Sequence, residues 1–197
     1  MAGPLPLVER KQHAARQRIM RAATDLFAER GFDSVSVADI ADRAEVGRTT
    51  FFRHFSDKQE VVFAREQALF DALTRENLGS VPADHRSASD AVRALQPLVL
   101  QMSAHIVEDA EEYRRHERLV ESSIVLRGRS ATKAQLIAER LVALLVEAGW
   151  DEGVAVFAGQ IALACTATGR ATAPRPEDLV EATRTAFEQA LRLGAAQ

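Results

Sequence analysis

The sequence predicts an all-α protein: a small N-terminal three-helix domain carrying a helix-turn-helix, followed by a larger helical domain. Three observations carry this. Apolar residues recur at helical spacing through most of the 197 residues, and no stretch alternates as a strand would. Glycines and prolines fall at the ends of several of those stretches (Gly31, Gly79, Gly149, Pro174, Pro176), with Pro97 inside one. With 47% hydrophobic and 27% charged residues, the composition is that of a globular chain.

Residues 1–9, with two prolines and a glycine, read as a disordered arm. A helix follows to about Arg30, its stripe formed by Ile19, Ala22, Ala23, Leu26 and Phe27, and Gly31 ends it. Ser36 is an N-cap with Asp39 three residues on, and Val37, Ile40, Ala41 and Ala44 share one face. The pattern breaks at Glu45-Val46-Gly47 and resumes with Phe51, Phe52 and Phe55. That is a helix-turn-helix, in which Ala41 lets the second helix cross closely. The second helix keeps Arg48, Thr49, Thr50, Arg53 and His54 outside, donors and hydroxyls without an acid, which suits a DNA major groove. The domain closes near residue 57, giving limits of 10–57 for the helix-turn-helix domain and 58–197 for the rest.

Ser56 and Gln59 are spaced as a capping box opening a helix that runs to Asn77 or Leu78, with Lys58 in its first turn and Val62, Leu69 and Leu73 on one face. Gly79 stops it, and residues 79–89, with Pro82, are a loop. Residues 88–109 carry Val92, Leu95, Val99, Met102 and Ile106, with Pro97 expected to kink or restart the helix. Glu111 to Leu126 is a charged helix with Glu111 and Arg115 spaced as an i, i+4 pair. Residues 130–148 place Ala134, Ile137, Leu141, Leu144 and Leu145 on a stripe. The helix from Trp150 to Arg170 is nearly uncharged in its middle and needs cover on most sides. A second subunit is a natural cover, reached through the small residues Gly159, Ala162, Ala164 and Ala167 with Leu163. The last helix, 177–193, adds Phe187 and Leu191 to that dimer interface.

Charge is unevenly placed. The net −3 divides into nine Arg/Lys against seven Asp/Glu over residues 1–55, and sixteen against twenty-one beyond. From Arg10 to Arg21 five basic residues (Arg10, Lys11, Arg16, Arg18, Arg21) occur with no acid. A local positive field facing phosphate is the expected reading. No phosphate-binding loop and no nucleophile elbow occurs, and none of the five histidines has another at i+3 or i+4. The single cysteine, Cys165, excludes internal disulfides and reads as a small buried hydrophobe. No apolar run approaches the ~18–20 residues a membrane helix needs and the N-terminus lacks a signal-peptide core, so a cytoplasmic, non-enzymatic protein without a cofactor is expected.

Residues 19–62 resemble the DNA-binding domain of the tetracycline-repressor (TetR) family, about a quarter of the chain. The matching features are Ala22-Ala23, Leu26-Phe27, Gly31-Phe32, Ser36 to Ala41, and Thr50 to Lys58 with Arg53-His54-Phe55. Glu45 stands where the family has a turn glycine, Gly47 where a Ser or Thr caps the recognition helix, Thr49 where Gly is common, and Phe52 where Tyr is usual. The resemblance implies a homodimeric regulator binding a palindromic operator through Ser36, Val37, Arg48, Thr49, Thr50, Phe52, Arg53, His54, Lys58 and Arg16. It further implies a repressor released by a small effector, lipophilic or aromatic, held among residues 95–170, for which Met102, His105, Ile106, Trp150 and Phe157 are the candidate lining. The helix from Ser56 would carry the shift to the recognition helices. The alternative is a ligand-independent dimer whose C-terminal part serves only assembly or a protein partner.

Overall fold

The computed structural model describes residues 6–71, 73–74, 78 and 87–195. Among them there is no strand, and the chain runs through α1 (Leu7–Arg30), α2 (Val37–Arg43), α3 (Arg48–His54), α4 (Lys58–Val62), α5 (Ala64–Asp71), α6 (Ala88–Ile106), α7 (Ala110–Ser122), α8 (Ile124–Glu147), α9 (Glu152–Thr172), a 3₁₀ turn (Pro176–Asp178) and α10 (Leu179–Ala195). Two compact units result: residues 1–68 with 116–127, and residues 69–115 with 128–197. The division falls inside α5, α7 and α8 rather than at the residue 57 boundary read from the sequence. Of the expected loop over 79–89, residues 79–86, with Gly79 and Pro82, lie outside the described residues, as does the side chain of Leu69, while Ser87 caps α6 and residues 88–89 already belong to that helix.

In the first unit the stripe of α1 is buried as its spacing requires: Ile19, Ala22, Ala23, Leu26 and Phe27 meet Ile40 and Ala41 of α2 and Phe51 of α3. Burying one such side chain contributes about 1.5–3 kcal/mol, so this small helical set is held mainly by its aromatic and aliphatic contacts. Phe55, Val61, Phe63 and Ala64 extend the same core, and Val120 and Leu126 complete it. That is why the unit passes residue 57 and takes in a segment from far along the chain. The helix α1 begins at Leu7, so the expected arm is helical from that residue on.

The expected long helix from Ser56 is two pieces. Asp57 caps α4 by accepting from the Glu60 amide at 2.7 Å, while Glu60 accepts from the Ser56 amide at 2.6 Å. The pair Asp57/Glu60 displaces the expected pair Ser56/Gln59 because carboxylates accept hydrogen bonds more strongly than a hydroxyl and an amide. The helix then breaks at Phe63, whose ring is fully buried. The helix after the charged stretch also differs: α7 ends at Ser122 and α8 starts at Ile124, six residues before the expected start. Arg114, not Arg115, takes Glu111, at 2.9 Å.

In the second unit α6, α9 and α10 pack on one another. Val92, Leu95, Leu98 and Val99 of α6 share a core with Leu141, Leu144 and Leu145 of α8, Trp150, Ala155, Ala158 and Ala162 of α9's segment, and Phe187 of α10. The helix α6 runs through Pro97 without restarting. Pro97 lies on the exposed side, where the carbonyl that loses its amide partner is open to water. Contrary to the expectation from the sequence, α9 is long and apolar enough to cross a membrane by length and composition, the one such helix among the described residues. Here it forms part of a packed helical core.

Candidate nucleic-acid interface

The Ser36 hydroxyl accepts from the Asp39 amide at 3.1 Å, and the Asp39 carboxylate accepts from the Ser36 amide at 2.8 Å. This reciprocal box fixes the start of α2 and holds the Asp39 carboxyl below its ordinary range, chiefly through the hydrogen bonds from Ser36. Ser36, read as a DNA contact, is therefore first a cap. The outer side of the motif is tied to α1 by Arg43 gripping Glu29 through two bonds of 3.1 and 3.0 Å. Bidentate geometry sets the angle between helices more than it adds stability at an exposed site.

The turn is closed by the Val46 amide donating to Ala41 O at 3.0 Å. Glu45 sits at φ 52°, in the left-handed region that the family's glycine occupies without strain. Gly47 caps α3 through its carbonyl alone, which accepts from the amides of Thr50 (2.8 Å) and Phe51 (3.0 Å).

On α3, Phe51 is wholly buried, with Phe55 behind it at 5.9 Å between ring centres. That orientation turns Arg48, Thr49, Phe52 and Arg53 outward, while Thr50, His54 and Val37 are half-buried. Phe52 is 50% exposed and meets Phe51 edge-on at 5.5 Å, so its ring is held in place despite facing solvent. His54 is held below its ordinary pKa, first by burial and then by the charges of Arg53 and Arg16. At neutral pH it is an uncharged donor rather than a cation.

Two expected phosphate contacts are engaged within the protein. Arg16 donates to Ala64 O at 3.3 Å and lies 5.2 Å from the Phe55 ring centre. Lys58 donates to Phe32 O and Val35 O, each at 2.8 Å, and stands 4.3 Å from the Phe32 ring centre. Arg10, Lys11, Arg18 and Arg21 remain exposed on α1.

The residues read as an effector pocket are not brought together. Trp150 is buried and Met102 half-buried against the same core, and Ile106 is half-buried. His105 is exposed and bonded to Glu108 at 3.0 Å, and Phe157 is 55% exposed. The interface residues also divide. Gly159, Ala162 and Phe187 are consumed in the chain's own core, and a Cβ on Gly159 would come within 2.7 Å of Val142 Cγ2. Leu163 and Leu191 are half-buried. What α9 does expose is a face of Val156, Phe157, Gln160, Ala164 and Ala167, without a charge. The sequence places Ala164 and Ala167 among the small residues open to a partner helix, but it does not single out Val156, because a helix apolar nearly all round does not reveal which side its own chain covers.

Residues 19–64 match the family described as bacterial regulatory proteins, tetR family. An HTH-type transcriptional repressor of Mycobacterium tuberculosis, Rv3405c, is 47% identical over 66 residues, 34% of this chain and 35% of that protein. The chain thus matches about a third of the length of that relative. The fold is that of the SmeT–triclosan complex, with a TM-score of 0.60 at 21% identity over 91% of each chain. It is also similar to Thermus thermophilus FadR, a TetR-family transcriptional repressor solved in complex with lauroyl-CoA, with a TM-score of 0.50 at 25% identity, covering 88% of this chain and 91% of that one.

Proposed function

Through residues 19–64 the chain belongs to the tetR family of bacterial regulatory proteins, and on that premise we propose that it is a cytoplasmic, homodimeric repressor that leaves a palindromic operator when a lipophilic or aromatic effector binds its second unit. The observation that carries the DNA-reading part is the outward face of α3. Arg48, Thr49 and Arg53 are exposed together with no acid on the helix, and buried Phe51 and Phe55 fix that face. Arg48 at the first turn is placed to reach a base edge, whereas Arg53 and the α1 cations serve phosphate.

One short helix reads few base pairs, so a two-fold dimer is needed for a site of useful length. The uncharged exposed face of α9 supports it as the dimer surface, replacing Gly159, Ala162 and Phe187 in that role. For the effector, support comes from the second unit's apolar core and from the acyl-CoA held by the Thermus thermophilus repressor. A ligand acts only by binding the non-operator arrangement better than the operator-bound one.

The test is DNA recognition by an Arg48→Ala variant, measured by fluorescence anisotropy on duplexes that the wild type retrieves from a random pool. A loss of about 1–3 kcal/mol with relaxed base preference at one position of each half-site is expected. Unchanged affinity and preference would remove Arg48 from the reading role.

A further inference from the structure

We propose that Lys58 is a positioning residue for the helix-turn-helix, an internal clamp on the loop that leads into α2, and not a contact to the DNA backbone. The geometry is particular. The ammonium donates to Phe32 O at 2.8 Å and Val35 O at 2.8 Å, with Asp33 O at 3.5 Å. An ammonium has three N–H donors, and these carbonyls lie where all three can be used. The same nitrogen lies 4.3 Å from the centre of the Phe32 ring, so an aromatic face completes its surroundings.

The loop needs such a clamp. Residues 31–36 join α1 to α2 with little backbone bonding of their own: Gly31 N bonds to Phe27 O at 3.0 Å, and Val35 N reaches Phe32 O only at 3.4 Å. Phe32 and Val35 are buried, so their carbonyls sit at the edge of the core and require donors. Lys58 supplies them from the first turn of α4, twenty-three residues beyond Val35. Val35 directly precedes Ser36, the cap of α2. Holding the carbonyl of Val35 therefore sets where α2 starts, and α2 carries the turn and α3 with it. To reach a phosphate the ammonium would have to release these acceptors and the ring, and withdraw its donors from the carbonyls of Phe32 and Val35.

This rests on the DNA-binding reading above for one of its two readouts. Lys58→Met keeps the apolar stem and removes the donors, and Lys58→Arg keeps the charge in a shape that does not fit three converging carbonyls. Binding to a random-sequence 30-base-pair duplex is measured over a range of salt concentrations, with amide hydrogen exchange at Val35 to Asp39. The clamp predicts that both variants exchange faster at these amides and bind DNA about tenfold more weakly, each with the wild-type salt slope. A phosphate contact predicts unaltered exchange, a slope shallower by about 0.9 in Lys58→Met, and retained binding in Lys58→Arg. That result, or wild-type affinity in both variants, overturns the proposal. If the variants do not fold, the wild-type Lys58 ammonium signal in NMR decides. Slow solvent exchange, unaltered by added duplex, supports the clamp, and fast exchange or a shift on adding duplex overturns it. Absence of wild-type DNA binding would instead refute the regulatory reading, and exchange would still judge the clamp.

Discussion

Arg48 and Thr49 meet solvent at the first turn of α3, while Phe51 is wholly buried three residues from Arg48. That division was legible in the sequence, because aromatic positions at helical spacing must turn inward and the donors between them must then turn out. The fate of Arg16 and Lys58 was not legible. Charge can be counted from sequence, but long stems fold back toward whatever carbonyl or ring the tertiary structure offers. His54 reads from the sequence as one of the outward donors, and its surroundings keep that donor neutral. Its pKa is depressed in the fold by burial, Arg53 and Arg16, and ordinary in the unfolded chain. The unfolded chain therefore takes up a proton first as pH falls. Stability is full above the ordinary histidine value of about 6.5 and is lost as pH falls from there through the folded value. Urea unfolding between pH 8 and 5 should show this loss in the wild type and a shallower one in His54→Gln. Identical profiles would mean that His54 does not titrate as described.

At the scale of elements, the turn between α2 and α3 holds its own strain. Glu45 adopts φ 52°, a conformation that costs an L-residue about 1–2 kcal/mol and a glycine little. Glu45→Gly should raise stability by about 0.5–1 kcal/mol, since the added flexibility of the unfolded chain offsets part of the relief. Thermal denaturation checks it, and a lower midpoint would mean that the Glu45 side chain holds the turn by a contact stronger than the strain. The sequence located this turn and the stop of α1 at Gly31, because both carry local signals. It missed the breaks at Phe63 and Ser123, where neither glycine nor proline marks an end. Those breaks come from tertiary packing: Phe63 is at 0% exposure, and Val120 and Leu126, on either side of Ser123, are drawn into the first unit's core. Nothing local in residues 116–127 announces that destination.

For the whole molecule, the all-helical plan and the order of its halves were readable from periodicity, whereas the allocation of apolar faces was not. A helix such as α9 needs cover on nearly every side, and only the packed structure shows that Ala158, Gly159 and Ala162 are covered from within while Val156, Phe157 and Ala164 are not. The account therefore separates two substitutions that the sequence placed on different sites. Phe157→Glu should yield a folded monomer by sedimentation and circular dichroism, at little cost to the subunit because its site is 55% exposed. Phe187→Glu buries a charge in the chain's own core and should lose the fold by several kcal/mol. A dimer surviving Phe157→Glu would move the interface elsewhere.

The central claim is that two copies of α3 read DNA together about a two-fold axis. Selection of bound duplexes from a random pool by the purified full chain, followed by sequencing, tests it most directly. The account predicts inverted repeats whose half-site centres lie about 34–36 Å apart, or a multiple of that, along the duplex. Enrichment of single, unpaired half-sites, or no enrichment at all, would contradict it.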